Sequence, residues 1–261
     1  MNKIEDAIQN VHKLDHSPSN NIHPLIKLLI TFIYLILLTS INKYDLTTTL
    51  AMFVFLVLLS IIQEIKIKDI VKRFKIIFIL LIFVGISNPI LDRNIISYCG
   101  NIPITTGLIS MITLILKSFF AVICTYFLIY TTSIDEICYS LTLLHFPTIL
   151  ITTIMLIYRY IILFLKEAQR IWISYQMRAP KQKGLNYKVW GSMIGSLMIR
   201  SIDKARIVYE SMELRGFNPE TSFCNGSKLK YKDFIIFILA VLLILILRYI
   251  PIFEYIGNIV M

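Results

Sequence analysis

Motifs for nucleotide binding and hydrolysis are missing from this chain of 261 residues. It has no GxxxxGK[ST] phosphate loop, no GxGxxG run, no HExxH zinc pair and no GxSxG nucleophile turn. These absences exclude the common ATPase and hydrolase sites, so we expect no catalytic residues and no enzyme activity of its own. If the chain takes part in active transport, a partner must supply the energy.

Cysteine and histidine are scarce, with four of each. The cysteines contain no CxxC pair, which argues against a zinc site and a disulfide framework; they are Cys99, Cys124, Cys138 and Cys224. His12 and His16 are four residues apart and could share a helix face, but no third ligand stands at motif spacing. We therefore predict no metal and no cofactor bound by this chain.

Apolar residues, by contrast, are abundant. They make up 57% of the chain and its mean hydropathy is +0.74, whereas soluble domains are about 45–50% apolar. The apolar residues form six runs, at Leu25–Ile41, Leu46–Ile62, Ile76–Leu91, Ile104–Thr131, Ile149–Leu165 and Phe234–Ile250. Because a membrane-spanning helix needs about 20 such residues, the sequence predicts a multi-pass protein of the cell membrane.

The distribution of charge along the sequence indicates which of the apolar runs cross the membrane. The net charge is +10, and basic residues crowd into two connections, 64–75 and 166–232, which the positive-inside rule places in the cytoplasm. Both can be cytoplasmic only if the run at Ile149–Leu165 stays on that side. Arg159 lies within that run, where a lipid-facing charge would be unfavourable. We therefore predict about five spans, a cytoplasmic N-terminus and an external C-terminus.

The sequence of the predicted cytoplasmic region indicates one short and two long amphipathic helices. The short one, Ser133–Phe146, has Ser133 as N-cap and Glu136 completing a capping box. The long ones are Pro147–Arg178 and Lys188–Arg215, the second stopped by Gly216 as a C′ residue. The fold class is thus an all-α membrane protein with a cytoplasmic coupling module. Its predicted domains are an N-terminal arm 1–24, a four-helix membrane region 25–132, coupling helices 133–232 and a C-terminal membrane helix 233–261.

Both long helices end in an arginine, Arg178 before Ala179 and Arg215 before Gly216. A guanidinium at this position can simply cap trailing carbonyls, or it can bind a carboxylate of a partner protein. Gly191 and Gly195 are four apart, so they are either a chance pair or the point where the two long helices cross. Lys117, inside the fourth run, should face protein or water, either as a structural partner or in contact with another subunit.

Several segments resemble one family along nearly the whole chain, namely the transmembrane T component of energy-coupling factor (ECF) transporters, in its cobalt-type CbiQ branch. They are Asn21–Lys27, Asn88-Pro89, Thr131–Ser133, Leu144–Pro147, Tyr158–Tyr160 and the two arginine-tipped helices. The family carries two Ala-Arg-Gly signatures, which correspond here to Met177-Arg178-Ala179 and Leu214-Arg215-Gly216. Alanine is replaced in both, and only the second keeps Arg-Gly.

The resemblance implies a non-catalytic coupling subunit of an ATP-driven importer. Two ATP-binding cassette ATPases, which use the ATP, would dock at Arg178, Ala179, Arg215 and Gly216. The movement would pass to a separate substrate-binding membrane subunit, with cobalt uptake for cobalamin supply as the expected process. The expected partners are therefore these subunits and the lipid bilayer, with no nucleic acid.

Two other readings remain open from the residues alone. A self-sufficient channel or secondary transporter would use Lys117 in its permeation path, but it would also need acidic residues inside the spans. An intramembrane enzyme would need clustered Ser, His, Asp or Glu within the membrane, and the runs contain almost none.

Overall fold

The computed structural model describes residues 22–62, 81–86, 88–89, 95–99, 102–178, 187–218 and 229–249, without the side chains of 95–99, 102–105 and 188. Its elements are α1 (Pro24–Thr39), α2 (Leu46–Ile62), β1 (Ile95–Cys99), β2 (Ile102–Thr105), α3 (Thr106–Thr131), α4 (Ile134–Leu143), α5 (Thr148–Arg178), α6 (Tyr187–Glu213) and α7 (Tyr231–Tyr249). The chain divides into two compact units. One, the apolar unit, holds α1–α3, the strands and α7; the other, the coupling unit, holds α4–α6.

Helices dominate the described residues, as the composition predicts, but a β-hairpin precedes α3. Strands β1 and β2 pair antiparallel, with a bulge near the open end of the hairpin, between Ile95 and Ser97. The prediction of helix from Ile104 is therefore wrong at its start, since Ile104 lies in β2 and α3 begins at Thr106. The sequence did carry a hairpin signal, because Gly100-Asn101 separates two segments rich in isoleucine.

Among the helices that the structure describes, α3 and α5 are long and apolar enough to cross a membrane, and α1 and α2 are shorter apolar helices. Half of the third predicted span, and residues 1–21 of the N-terminal arm, lie outside the described residues. Within that span, residues 81–85 are helical.

The core of the apolar unit lies where α1, α2, α3 and α7 meet. Its fully buried side chains include Tyr34, Met52, Phe127 and Ile244. The Tyr34 hydroxyl donates to the Met52 carbonyl over 3.2 Å, so the one polar atom of this side chain is satisfied inside the core. Cys124 is buried among these residues as a free thiol, in line with its predicted role as a small apolar side chain.

Two cations from other helices contact the carboxyl end of α1. Lys117 of α3 donates to the carbonyls of Ile41 and Asn42. Arg248 of α7 donates to Ser40 Oγ over 2.9 Å and to the Leu37 carbonyl over 3.5 Å. The Leu37 carbonyl belongs to the last turn of α1, where carbonyls lack intrahelical partners and carry negative partial charge. Ile41 and Asn42 lie in the connection that follows the C-cap of α1, Ser40. Lys117 therefore has the structural role that the sequence left open.

The opposite end of this unit mirrors the arrangement. Lys27 of α1 donates to the Thr131 carbonyl at the carboxyl end of α3, over 2.9 Å. Asp233, buried in the first turn of α7, accepts from the backbone N–H groups of His23 and Lys230. Its carboxylate thus lies at the amino ends of both α1 and α7, which is the favourable sign for two helix dipoles.

Replacing Lys117 with methionine tests this capping. We expect Lys117→Met to lower the free energy of unfolding of the apolar unit by about 1–3 kcal/mol, because the carbonyl of the buried residue Ile41 loses its donor. The measurement is thermal unfolding in detergent. Lys232→Met, at an exposed position of α7, is the control and should change little. An unchanged unfolding midpoint for Lys117→Met would contradict the capping role.

Candidate functional site

The coupling unit begins with the predicted capping box. Glu136 N–H donates to Ser133 Oγ over 3.3 Å, and Ser133 N–H donates to a Glu136 carboxylate oxygen over 3.0 Å. This prediction is confirmed. The box fixes the start of α4, which packs against the first turns of α5, where Ile151 is buried.

Helices α4 and α6 end in the same hydrogen-bond pattern. His145 N–H donates to the Thr142 carbonyl and Phe146 N–H to the Leu141 carbonyl. In α6, Gly216 N–H donates to Glu213 and Phe217 N–H to Met212. Both are Schellman ends, which require a left-handed C′ residue. That residue is His145 with φ 59° in one and Gly216 with φ 77° in the other.

Both predicted arginines lie at exposed helix ends. Arg178 is the last residue of α5, and Arg215 precedes the left-handed Gly216 that closes α6. The residue before each arginine is long, apolar and highly exposed, Met177 at 77% and Leu214 at 90%. Each tip therefore presents an apolar side chain beside a guanidinium. Ala179 lies outside the described residues.

The two tips are far apart along α5. Arg215 lines a cleft with Arg159 of α5 and Asp135 of α4. Arg159 precedes Arg178 by nineteen residues, which is about 28 Å of helix. The sequence places Arg159 within its helix but does not indicate that it shares a cleft with Arg215. The two residues are too far apart in the chain for a local spacing pattern to relate them.

Helices α5 and α6 are joined by an ion pair and by an apolar seam. Arg200 donates to Glu167 over 2.9 Å, and Arg170 approaches the same carboxylate at 3.3 Å. The seam is a small apolar cleft lined by Trp190, Met193, Ile194 and Leu197 of α6 and by Ala168, Ile171 and Trp172 of α5. The pair Glu167–Arg200 was not predicted, since its members look like ordinary polar residues on the wet side of each helix.

The predicted crossing at Gly191 and Gly195 is wrong. Both glycines are exposed, and a Cβ added to either would meet nothing within 4 Å in the described part of the chain. Each follows a seam residue, Trp190 or Ile194, by one position. A single step turns about 100° around an α-helix, so the glycines point away from the seam that their neighbours form.

The chemistry available at the tips is recognition by charge and apolar contact. Among the residues that the structure describes, no group of three or more His, Cys, Asp or Glu could hold a metal ion. An exposed guanidinium beside an exposed apolar side chain suits a partner surface that offers a carboxylate within an apolar groove.

Comparison with known proteins adds the family context. A sequence model of the family described as CbiQ, cobalt transport protein, matches residues 15–223. The chain is 34% identical over 117 residues to a fused cobalt transport protein, CbiMQ, of Methanocorpusculum labreanum, covering 44% of this chain and 20% of that protein. It is 29% identical over 171 residues to an uncharacterized protein of Methanocaldococcus jannaschii, covering 64% of this chain and 55% of that protein. The chain thus spans between a fifth and about half of these relatives.

Substitutions at the ion pair and at the glycines should have opposite effects on the contact between α5 and α6. We expect Glu167→Gln to loosen the contact between α5 and α6, because the carboxylate is the charged acceptor for both Arg200 and Arg170. Gly195→Ala should leave the contact intact and favour the helix by up to about 1 kcal/mol. Spin-label distances between the two helices measure both. A broadened distance distribution for Gly195→Ala alone would restore the glycine crossing.

Gly216 provides a second test, of backbone conformation. Gly216→Ala should destabilise the end of α6 by about 1–2 kcal/mol, because its φ of 77° is unfavourable for a residue with Cβ. Space around the residue is open, so the effect is conformational. Gly216→Asn is the matched control and should cost less, since asparagine tolerates this region better. Trypsin cleavage after Arg215 reports the fraying, and equal cleavage of all three proteins would contradict the expectation.

Proposed function

Since the chain belongs to the CbiQ family of cobalt transport proteins, we propose that it is the transmembrane T subunit of an energy-coupling factor importer for cobalt ions. It transmits the movement of two ATP-binding cassette ATPases to a separate substrate-binding membrane subunit. One observation carries the proposal: the two long helices α5 and α6 each end in an exposed arginine beside an exposed apolar side chain.

The tips have the composition of interface anchors. Arginine and large apolar side chains dominate the binding energy of protein interfaces when they fill grooves on the partner. Met177 with Arg178 and Leu214 with Arg215 form two such anchors. About 28 Å of α5 separates Arg178 from the cleft of Arg215. Such a separation supports docking to two different subunits, and the Glu167–Arg200 pair would keep the two helices moving together.

A transport protein with these apolar helices is a membrane protein. We propose five spans, with the N-terminus and the coupling unit in the cytoplasm. By length and composition α5 could itself cross, but the basic residues after it argue for a position along the cytoplasmic surface. Its exposed apolar side chains, such as Ile149, Ile157 and Phe164, suit contact with the interface or with the substrate-binding subunit.

Lys117 supports this reading over a channel. Its ammonium group donates to the Ile41 and Asn42 carbonyls, so it is engaged by the backbone directly after α1. A channel that relied on this cation would need it to face the permeation path.

Substitution of the tip arginines tests the docking role. We expect Arg215→Gln and Arg178→Gln each to weaken ATPase binding by about 2 kcal/mol or more, about 30-fold in affinity, because each removes an anchor. Arg206→Gln, at an exposed position of the same α6, is the matched control. Co-purification of ATPase subunits and cellular uptake of radioactive cobalt are the two measurements.

The outcomes separate the alternatives. Loss of both ATPase binding and uptake in the tip variants, with Arg206→Gln unaffected and all proteins equally expressed, supports the coupling role. If the tip variants bind ATPases and take up cobalt as the wild type does, the docking assignment is wrong. Transport by the purified chain alone in liposomes would favour the channel instead.

A further inference from the structure

Two neighbouring cavities in the coupling unit adjoin each other along α5 and α6. The first, of about 720 Å³, and the second, of about 530 Å³, share five lining residues. The shared residues are Thr152, Leu156, Tyr160, Met212 and Phe217. We call the combined space the α5–α6 trough. Its two ends differ in chemistry.

The longer part of the trough is apolar. Leu156, Leu163 and Phe164 of α5 face Leu197 and Val208 of α6 across it. Its charged residues are Glu167, Arg200 and Lys204. Because Arg200 already donates to Glu167, much of the charge at this end is engaged within the protein.

The other end of the trough is basic. Arg159 and Arg215 line it, together with the single carboxylate of Asp135, and all three residues are exposed. Two guanidinium groups exceed one carboxylate, so the local charge is positive. Guanidinium forks match phosphate oxygens in geometry as well as in charge.

We propose that the α5–α6 trough binds one anionic phospholipid, with its headgroup phosphate at Arg159 and Arg215 and an acyl chain along the apolar part. This change in polarity, from a basic cleft to an adjoining apolar cavity, matches the headgroup and the acyl chain of such a lipid. The inference rests on the proposed position of α5 at the cytoplasmic surface, where anionic lipids attract basic side chains. Ile149 and Ile157 line the groove while remaining exposed, which provides an apolar route from the bilayer.

The site also suggests a link to coupling. Arg215 belongs both to the trough and to the second docking tip, whereas Arg178 lines a separate small cleft at the end of α5. A headgroup on Arg215 would compete with an ATPase for the same guanidinium. Lipid binding is therefore a means of regulating one tip without affecting the other.

Native mass spectrometry of the delipidated full chain tests the proposal with two probes, phosphatidylglycerol and phosphatidylcholine of identical acyl chains. We expect the wild type to retain phosphatidylglycerol preferentially. Arg159→Gln should reduce that retention about five- to tenfold, because one charge-assisted contact is lost. Asp135→Asn should increase it, and Val208→Trp should reduce retention of both lipids by filling the groove. Arg178→Gln is the matched charge control and should have no effect.

Three results would overturn the proposal. Equal retention of the two lipids would show that the headgroup is not recognised. An amphipathic helix of a partner protein would then be the better candidate for the occupant of the trough. Unchanged phosphatidylglycerol retention by Arg159→Gln would remove the assigned headgroup site. Displacement of the lipid by inorganic phosphate at equal concentration would assign the basic cleft to a free anion.

ATPase co-purification with the same variants distinguishes a failure of the lipid site from a failure of the proposed coupling function. We expect Arg159→Gln to bind ATPases normally while losing the lipid, and Arg178→Gln to do the reverse. A wild type that retains phosphatidylglycerol selectively but binds no ATPase would leave the lipid site standing while the proposed function fails.

Discussion

The ammonium group of Lys27 contacts the last carbonyl of α3, that of Lys117 contacts the carbonyls just after α1, and the alignment of α1 with α3 depends on this pair of contacts. Fourteen residues separate Lys27 from Ile41 on one side and Lys117 from Thr131 on the other, about 21 Å in each helix. The two antiparallel helices are therefore held in register at both ends. Residues 106–116 of α3 extend past the end of α1 as a result.

The same physical constraint recurs wherever charge enters this unit. A charge among apolar side chains is costly unless it is compensated, and a helix end offers compensation without a second charged residue. Asp233 uses two amino ends at once, and Arg248 adds a second donor to the carboxyl end of α1. The unit thereby holds charged residues while its core stays apolar.

The coupling unit uses its helix ends differently, to present side chains outward. The Schellman end at Gly216 stops α6 sharply and leaves Leu214 and Arg215 exposed. Arg215 therefore remains available to the α5–α6 trough and to a docking partner, whereas Arg178, at the far end of α5, lines a separate small cleft with Arg170 and Met177. The two tips are chemically alike but differ in their surroundings. In the importer proposed above, this difference would let the two docking points respond unequally.

The sequence by itself determined the features that depend on near neighbours. Apolar periodicity predicts the long helices, Ser133 with Glu136 predicts the start of α4, and Gly216 predicts the end of α6, because hydrogen bonds within a few residues decide each. Only the tertiary structure decided which distant groups meet. Lys117 binds α1, Glu167 pairs with Arg200 and Arg159 lies beside Arg215, while Gly191 and Gly195 face away from the seam. Helix rotation of about 100° per residue and axial register decide these contacts, and both are fixed by packing against another helix.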